Sequence, residues 1–188
     1  NEARLQWKGS GDDSFVTLES TGIIDLIENL RVSSKLPAMI VGFSCKRLNT
    51  LSTYLDSINL CENKKCSSMV HIEFNRLRKR VPEEEWGLFV RFMELAKRGI
   101  AVHHSQNPKH YLEIIPKLVK KGYIKVVFAT SSLSAGIDLP VRTVVLTDLK
   151  IPSRKGFKQI ETNLFHQICG RAGRPGLETQ GNVVIVKW

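Results

Sequence analysis

Short, continuous apolar runs alternate along this chain with segments whose apolar residues recur every three or four positions. The runs are typical of strands buried on both faces of a parallel sheet, and they cover 38–43, 99–102, 124–129, 143–146 and 182–186. The segments between them predict amphipathic helices over 21–31, 44–58, 82–98 and 107–121. Strand and helix in alternation favour parallel pairing through right-handed crossovers. The predicted fold is α/β, an open and mostly parallel sheet with helices on both faces.

Three parts of the chain depart from this alternation. Residues 1–20 are mostly polar and predict a linker or edge segment, which leaves 21–188 as one domain. The basic stretch 61–80 has no assignment. Pro116 lies inside the helix predicted over 107–121, and we expect a kink or an early break there because proline has no N–H to donate.

Polar side chains follow three of the predicted strands. Ligands of open parallel sheets bind beyond the carboxyl ends of the strands, so these clusters should share one edge. A single Ser or Thr at such a turn is usually only a helix cap. Hydroxyls, cations and helix N-terminal N–H groups at one edge favour a binding surface for the phosphates of a nucleic acid. The predicted contact residues are Ser44, Lys46, Arg47, His104, Ser105, Thr130 and Ser131.

A fourth polar cluster lies on a helix predicted from Thr162 to Arg174. Gln167, Arg171 and Arg174 have the spacing i, i+4, i+7 and would share one face of that helix. Two arginines one turn apart suit a phosphate group. A solvated basic helix end is the alternative, but it does not explain two internal glycines, each of which costs about 1 kcal/mol relative to alanine. We expect those glycines to let another backbone or a nucleotide come close.

Charge and composition narrow the class of partner. Lys and Arg number 28 and Asp and Glu 18, which gives a net charge of +10 and an isoelectric point near 9.6. This excess favours a polyanionic partner, although a basic surface without a ligand has the same composition.

Membrane, secretory and zinc-binding classes have no support in the sequence. The apolar runs are too short to span a bilayer, and residues 1–20 contain no apolar signal-peptide core. The four cysteines, Cys45, Cys61, Cys66 and Cys169, do not form two pairs at zinc-binding spacing. We therefore expect free thiols and an intracellular protein of the nucleus or cytoplasm, with no membrane partner.

The residues resemble a known family. Segment 167–174, followed by Pro175 and Gly176, resembles motif VI of superfamily 2 helicases, especially the Ski-like DExH branch. Segments 41–47, 99–105 and 128–140 resemble that branch's motif IV, its Gly-Ile-x-x-His-His segment and its motif V. The four segments occur in the family's order across residues 36–187, which identifies the chain as similar to the second, RecA-like lobe of such a helicase.

The resemblance implies roles for individual residues. Arg171 and Arg174 would be arginine fingers that reach the γ-phosphate of ATP, and Gln167 would belong to the same network. ATP and Mg²⁺ would be held mainly by an N-terminal RecA-like lobe of the same protein. Gly136 would contact the nucleic-acid backbone beside the nucleotide site, and Asp138 would couple the nucleotide to the arginines. The strand contacts would include Thr130, His104 and Ser105.

The resemblance indicates a helicase lobe more clearly than it indicates the nucleic acid on which the helicase acts. RNA is favoured over DNA because segment 35–47 and the His-His-Ser run are closer to the RNA-processing members of the branch. Motif VI fits DNA-repair members equally well. Two other functions stay open: a nucleic-acid-binding or scaffold module without enzymatic activity, and a translocase on double-stranded DNA.

The first prediction concerns the isolated 188 residues. The sequence contains no G-x-x-x-x-G-K-S/T and no D-E-x-D/H, so the lysine and the acid that hold the phosphates and Mg²⁺ are absent. We expect no nucleic-acid-stimulated ATP hydrolysis from the pure chain in a phosphate-release assay. Clear turnover would contradict a split ATPase site.

Overall fold

One parallel sheet organises the molecule. The computed structural model describes residues 20–61, 64–131, 139–153, 156–173, 176 and 180–186. The strand order is β2-β3-β1-β4-β7, and the strands are β1 (Ala38–Gly42), β2 (Ile100–His103), β3 (Val126–Thr130), β4 (Thr143–Leu146) and β7 (Asn182–Ile185). A separate antiparallel pair consists of β5 (Lys150–Ser153) and β6 (Gly156–Gln159). The predicted α/β fold, with the open parallel sheet of a RecA-like domain, is confirmed.

Burial explains why the strands were predictable. Every residue of β1, β2, β3 and β4 is buried, as expected for strands covered on both faces. The register places His103, Ala129, Val41 and Leu146 side by side across the sheet. The four strands therefore reach their carboxyl ends at the same level, so the segments that follow them start from one edge.

Six helices surround the sheet in the described part of the chain. They are α1 (Ser20–Val32), α2 (Cys45–Thr53), α3 (Lys64–Leu77), α4 (Trp86–Lys97), α5 (Lys109–Lys120) and α6 (Thr162–Cys169). Ser44 caps α2 as predicted, since its hydroxyl accepts a hydrogen bond from the Arg47 N–H. Gly99 ends the α4 segment with a φ of 82°, a conformation that suits glycine. None of the described helices is long and apolar enough to cross a membrane.

The stretch without a prediction, 61–80, contains α3 and a 3-10 turn over Arg78–Arg80. Helix α3 packs against α4 and α5. Two of its residues, Val70 and Phe74, are fully buried, and the Phe74 ring lies 5.1 Å from the ring of Phe89 on α4. The apolar stripe is narrow because a helix that packs on other helices, outside the sheet, buries only one edge of its surface.

The cysteines differ from the expectation. Cys61 and Cys66 are joined as a disulfide, so the expectation of free thiols is wrong at these two positions. Cys61 lies three residues before the first residue of α3, and Cys66 lies in the first turn of that helix. Cys45 and Cys169 are free.

Helix α5 continues through Pro116, so of the two expected outcomes the early break is wrong, and the kink stays a prediction. Proline has no N–H, and the carbonyl of Leu112 therefore has no donor at that position of the helix. The ring of His103, on the neighbouring strand β2, supplies one: its Nε2–H donates to the Leu112 carbonyl across 3.2 Å. A side chain from the sheet thus replaces the missing helical hydrogen bond.

Helix α6 is shorter than predicted, and its continuation to Arg174 is wrong. The helix ends with Gly170 as its C-cap. The chain then turns, so that Ala172 forms a parallel bridge with Val141 and the Gly173 N–H donates to the Val141 carbonyl across 3.0 Å. Pairing with the segment before β4 ends the helix, because a residue cannot take part in both hydrogen-bond patterns.

The early end of α6 changes the geometry of the predicted cluster. Gln167 lies on the helix, whereas Arg171 lies in the turn after it. The common helical face predicted for Gln167, Arg171 and Arg174 therefore does not form. Arg174 itself lies outside the described residues, as do Gly136 and Asp138.

A close approach of two backbone segments explains one of the glycines. Gly173 has a φ of 96°, and a Cβ added to it would lie 3.3 Å from the Cα of Gly181. A Cβ added to Gly181 would overlap the carbonyl atoms of Ala172 and lie 2.6 Å from the Gly173 nitrogen. The expectation that a glycine here lets another backbone come close is confirmed for Gly173.

The second prediction uses this crossing. Gly181→Ala should lower the free energy of unfolding by about 2 kcal/mol or more, because the new methyl group meets backbone that cannot move aside. Gly87→Ala is the matched control: no atom lies within 4 Å of the added Cβ, and alanine is the better helix former by about 1 kcal/mol. Urea unfolding followed by circular dichroism measures both. Equal effects of the two substitutions would contradict the crossing.

Candidate nucleotide and nucleic-acid interfaces

The carboxyl edge of the sheet gathers three of the predicted clusters. Ser44, Lys46 and Arg47 follow β1, His104 and Ser105 follow β2, and Thr130 and Ser131 end and follow β3. The strands are neighbours in the order β2-β3-β1, with Thr130 opposite Gly42. The structure therefore places all three clusters at one edge, as the sequence predicted.

The cations of the first cluster lie at the start of α2. Lys46 and Arg47 are both exposed, and Ser44 uses its hydroxyl oxygen as the helix cap. Burial lowers the pKa of Arg47 from its usual value, and the negative charge of Asp148, just after β4, raises it in part. Arg47 remains charged at neutral pH. This corner of the edge therefore presents positive charge beside the N-terminal N–H groups of a helix, an arrangement that suits a phosphate.

The second cluster is divided between interior and surface. Ser105 is exposed, whereas His104 is only 1% exposed. The His104 ring forms a hydrogen bond of 2.9 Å between its Nε2 and the Oδ1 of Asn49 on α2. In this conformation Ser105 presents its side chain to solvent, and His104 instead connects the β2–α5 turn to α2.

The third cluster is also partly enclosed. Thr130 is 7% exposed and Ser131 is half-buried, and both have polar interactions within the protein. Beyond them, at the end of β4, the Thr147 hydroxyl donates to the Val41 carbonyl across 3.0 Å. This hydrogen bond ties the ends of β1 and β4 together and makes the edge rigid at its centre.

Gln167 and Arg171 lie towards the other end of the sheet. Strand β4 begins at Thr143, and the bridge between Val141 and Ala172 precedes it. Gln167 is exposed on α6, and Arg171 is half-buried in the turn that leads to the bridge. Since a strand rises about 3.3 Å per residue, roughly 15 Å separates this bridge from the carboxyl edge. The two groups of predicted site residues therefore occupy opposite ends of one sheet.

One connection joins the two ends. Residues 132–138 lie outside the described part, but the residues on either side of them are placed. Ser131 lies at the carboxyl edge, and Val141 lies beside Ala172 at the amino end of β4. The segment that resembles motif V thus starts at one group of residues and ends at the other.

Two residues of this region were missed by the sequence interpretation. Asn49 binds the His104 ring, and the Oδ1 of Asn107 accepts the His104 backbone N–H across 2.7 Å. Asn107 had a local signal, since asparagine before Pro108 is typical of a turn that precedes a helix. Asn49 had none, because its partner lies 55 residues away in the sequence.

The third prediction concerns pH. Burial lowers the pKa of His103 and of His104 below 6.5, with the neighbouring imidazole adding to the effect at His103. The unfolded chain therefore binds protons at a higher pH than the folded one, and stability should fall as the pH drops below about 6.5. His104→Gln should make the loss between about pH 7 and pH 5.5 smaller in urea-unfolding experiments.

His166→Gln is the control, because the His166 side chain is exposed on α6 and changes its surroundings little on folding. An equal change in the pH dependence for the two variants would contradict the assignment to the buried ring.

The chain is similar in sequence to known helicases over most of its length. The chain is 34% identical over 166 residues to the Antiviral helicase SKI2 of Saccharomyces cerevisiae, which covers 87% of this chain and 13% of that protein. It is 30% identical over 165 residues to Superkiller complex protein 2 of Homo sapiens, with coverage of 87% and 13%. It is 28% identical over 166 residues to the ATP-dependent RNA helicase mtr4 of Schizosaccharomyces pombe, with coverage of 87% and 15%.

The chain thus spans between 13% and 15% of the length of these relatives. Residues 46–176 match the family described as the helicase conserved C-terminal domain, and that range is more than half of the chain. The matched range includes the clusters after β2 and β3 and the turn with Arg171. The chain therefore belongs to the helicase C-terminal domain family, as the second RecA-like lobe of the Ski-like DExH branch.

Proposed function

We propose that this chain is the second motor lobe of an ATP-dependent helicase that acts on single-stranded RNA, with DNA as the less favoured substrate. The observation that carries the proposal is the position of two polar groups at opposite ends of one parallel sheet. One group suits a nucleic-acid backbone and the other suits a nucleotide. A motor lobe needs both, because it has to transmit a change at the nucleotide to the strand.

At the nucleotide end, Arg171 would reach the γ-phosphate of ATP as an arginine finger, and Gln167 would contact the same nucleotide. Negative charge spreads over the γ-phosphate oxygens during transfer, and an arginine that stabilises it raises the rate by roughly 10³–10⁵. The half-buried side chain of Arg171, in a turn pinned by the Ala172–Val141 bridge, supports this role. Arg174 is assigned the same role on its motif alone.

ATP and its Mg²⁺ would be bound mainly by an N-terminal RecA-like lobe of the same protein. The described residues hold no group of three or more His, Cys, Asp or Glu side chains that could bind a metal ion. Mg²⁺ needs only one or two carboxylates beside the nucleotide phosphates, so its assignment to the partner lobe rests on the family resemblance. The relatives named as ATP-dependent helicases support the use of ATP.

At the carboxyl edge, Lys46 and Arg47 would neutralise phosphates, and the hydroxyls of Ser105, Thr130 and Ser131 would bind phosphate oxygens. Such contacts do not depend on base sequence and therefore suit a motor that moves along a strand. RNA is favoured because relatives such as mtr4 are named as RNA helicases.

Coupling between the ends would follow the segment after β3. Gly136 and Asp138 belong to that segment and are assigned to the nucleotide side on their motif. ATP binding would close this lobe on its partner, and hydrolysis would release it. Because Ser131 and Val141 stand at opposite ends of the sheet, a shift at the nucleotide end would be passed along this segment to the strand end.

The fourth prediction tests the motor. In the protein with both lobes, Arg171→Ala and Arg174→Ala should each lower the kcat for RNA-stimulated ATP hydrolysis by about 10³-fold or more, with strand affinity kept. The control is Arg31→Ala, an exposed arginine of α1 that pairs with Glu28.

The two alternative functions predict different outcomes in these assays. Unchanged ATP hydrolysis in both variants favours a binding or scaffold module. Translocation without strand displacement, measured on a fluorescent duplex, identifies a double-stranded DNA translocase.

A further inference from the structure

The turn between β2 and α5 is closed by two hydrogen bonds between the same pair of residues. The His104 N–H donates to the Oδ1 of Asn107 across 2.7 Å, and the Asn107 N–H donates to the His104 carbonyl across 2.9 Å. Both side chains are buried, with 1% of His104 and 6% of Asn107 exposed. The turn therefore holds the His104 ring in one place, and Ser105 and Gln106 form its exposed tip.

The ring of His104 points to α2. Its Nε2 lies 2.9 Å from the Oδ1 of Asn49, while its buried Nδ1 has no hydrogen-bond partner among the described residues. A neutral imidazole carries one N–H. Placing that proton on Nδ1 would bury an unpaired donor, so the proton belongs on Nε2 and is donated to Asn49. Burial lowers the pKa of His104, which favours this neutral form.

This hydrogen bond joins two surfaces that are assigned to the strand. Asn49 lies one turn after Lys46 on α2, and His104 directly precedes Ser105. Leu48 and Leu51 also hold α2 by apolar packing, which is not directional. The hydrogen bond is directional, so it adds a constraint on the distance between Lys46 and Ser105.

We propose that Asn49 is a positioning residue for nucleic-acid binding: through His104 it sets the spacing between the cations of α2 and the β2–α5 turn. The inference rests on the proposed helicase function. Successive phosphates of a strand have a fixed separation, so two contact groups bind together only when their spacing matches it. Asn49 lies at the carboxyl edge, whereas Arg171 lies at the opposite end of the sheet. Its loss therefore weakens strand binding and leaves the chemical step unchanged.

The fifth prediction tests, in the protein with both lobes, whether Asn49 affects strand binding without affecting the chemical step. Asn49→Ala removes the acceptor and keeps a good helix former. The polyuridylic acid concentration that half-saturates ATP hydrolysis should rise about five- to tenfold, with kcat changed by less than about twofold. Asn49→Leu, which fills the space without an acceptor, should give the same result. Asn49→Gln keeps an uncharged amide oxygen that can accept from Nε2 and should stay within about twofold of the unsubstituted protein.

Asn75→Ala is the matched control. Asn75 also contacts a histidine ring, that of His71, across 2.9 Å, but this pair is exposed on α3. Its removal should leave the half-saturating concentration unchanged. A local damage to folding in the Asn49 variants would lower kcat together with affinity, and this would overturn the positioning role.

Two further results would also overturn the inference. One is an equal half-saturating concentration for Asn49→Ala and Asn75→Ala, and the other is failure of Asn49→Gln to restore affinity. If the unsubstituted protein shows no stimulation of ATP hydrolysis by RNA, the proposed function fails, and the positioning role fails with it. The two failures are distinguishable because failure of the proposed function already appears in the unsubstituted protein, whereas failure of the positioning role alone appears only in the Asn49 variants.

Discussion

Parallel pairing of the five strands is the constraint on which the other features depend. It sends every crossover from the carboxyl edge of the sheet back to the amino edge, so each connection begins and ends at different surfaces. Polar residues directly after a strand lie at the first surface, and residues that close a helix before the next strand lie at the second. Lys46 and Arg171 are separated for this reason alone. The separation of the two groups proposed to contact the strand and the nucleotide is thus a property of the topology.

The sequence predicted those parts of the fold whose cause is local. Strands β1 to β4 are buried throughout, and their apolar runs could be recognised without knowledge of their partners. Helix α3 was missed because Val70 and Phe74 are its two fully buried residues, too few to show a helical period. Helix α6 was predicted too long because its apolar spacing continues to Ala172. That residue pairs with Val141, and tertiary pairing overrode the local pattern.

The candidate site likewise has features that could be predicted from the sequence and features that could not. Residue types and their position after a strand were sufficient to predict that Ser44, Ser105 and Thr130 share one edge. Whether each of them faces solvent was not predictable, since exposure depends on residues distant in sequence. His104 is the clearest case: its burial follows from Asn49, which lies on a different helix. Sequence position therefore assigns a residue to a surface, and packing decides whether the side chain is presented or serves as support.

The hydrogen bond from His103 to the carbonyl of Leu112 makes two positions epistatic. With Pro116 present, loss of His103 leaves a buried acceptor unpaired, which is costly. With a residue other than proline at 116, the helix supplies its own donor and the histidine becomes dispensable. The order of change over evolution is therefore constrained: the proline can be replaced first, and the histidine afterwards. A sequence that kept the proline would keep the histidine for reasons of folding, even though the histidine stands next to residues proposed to contact the strand.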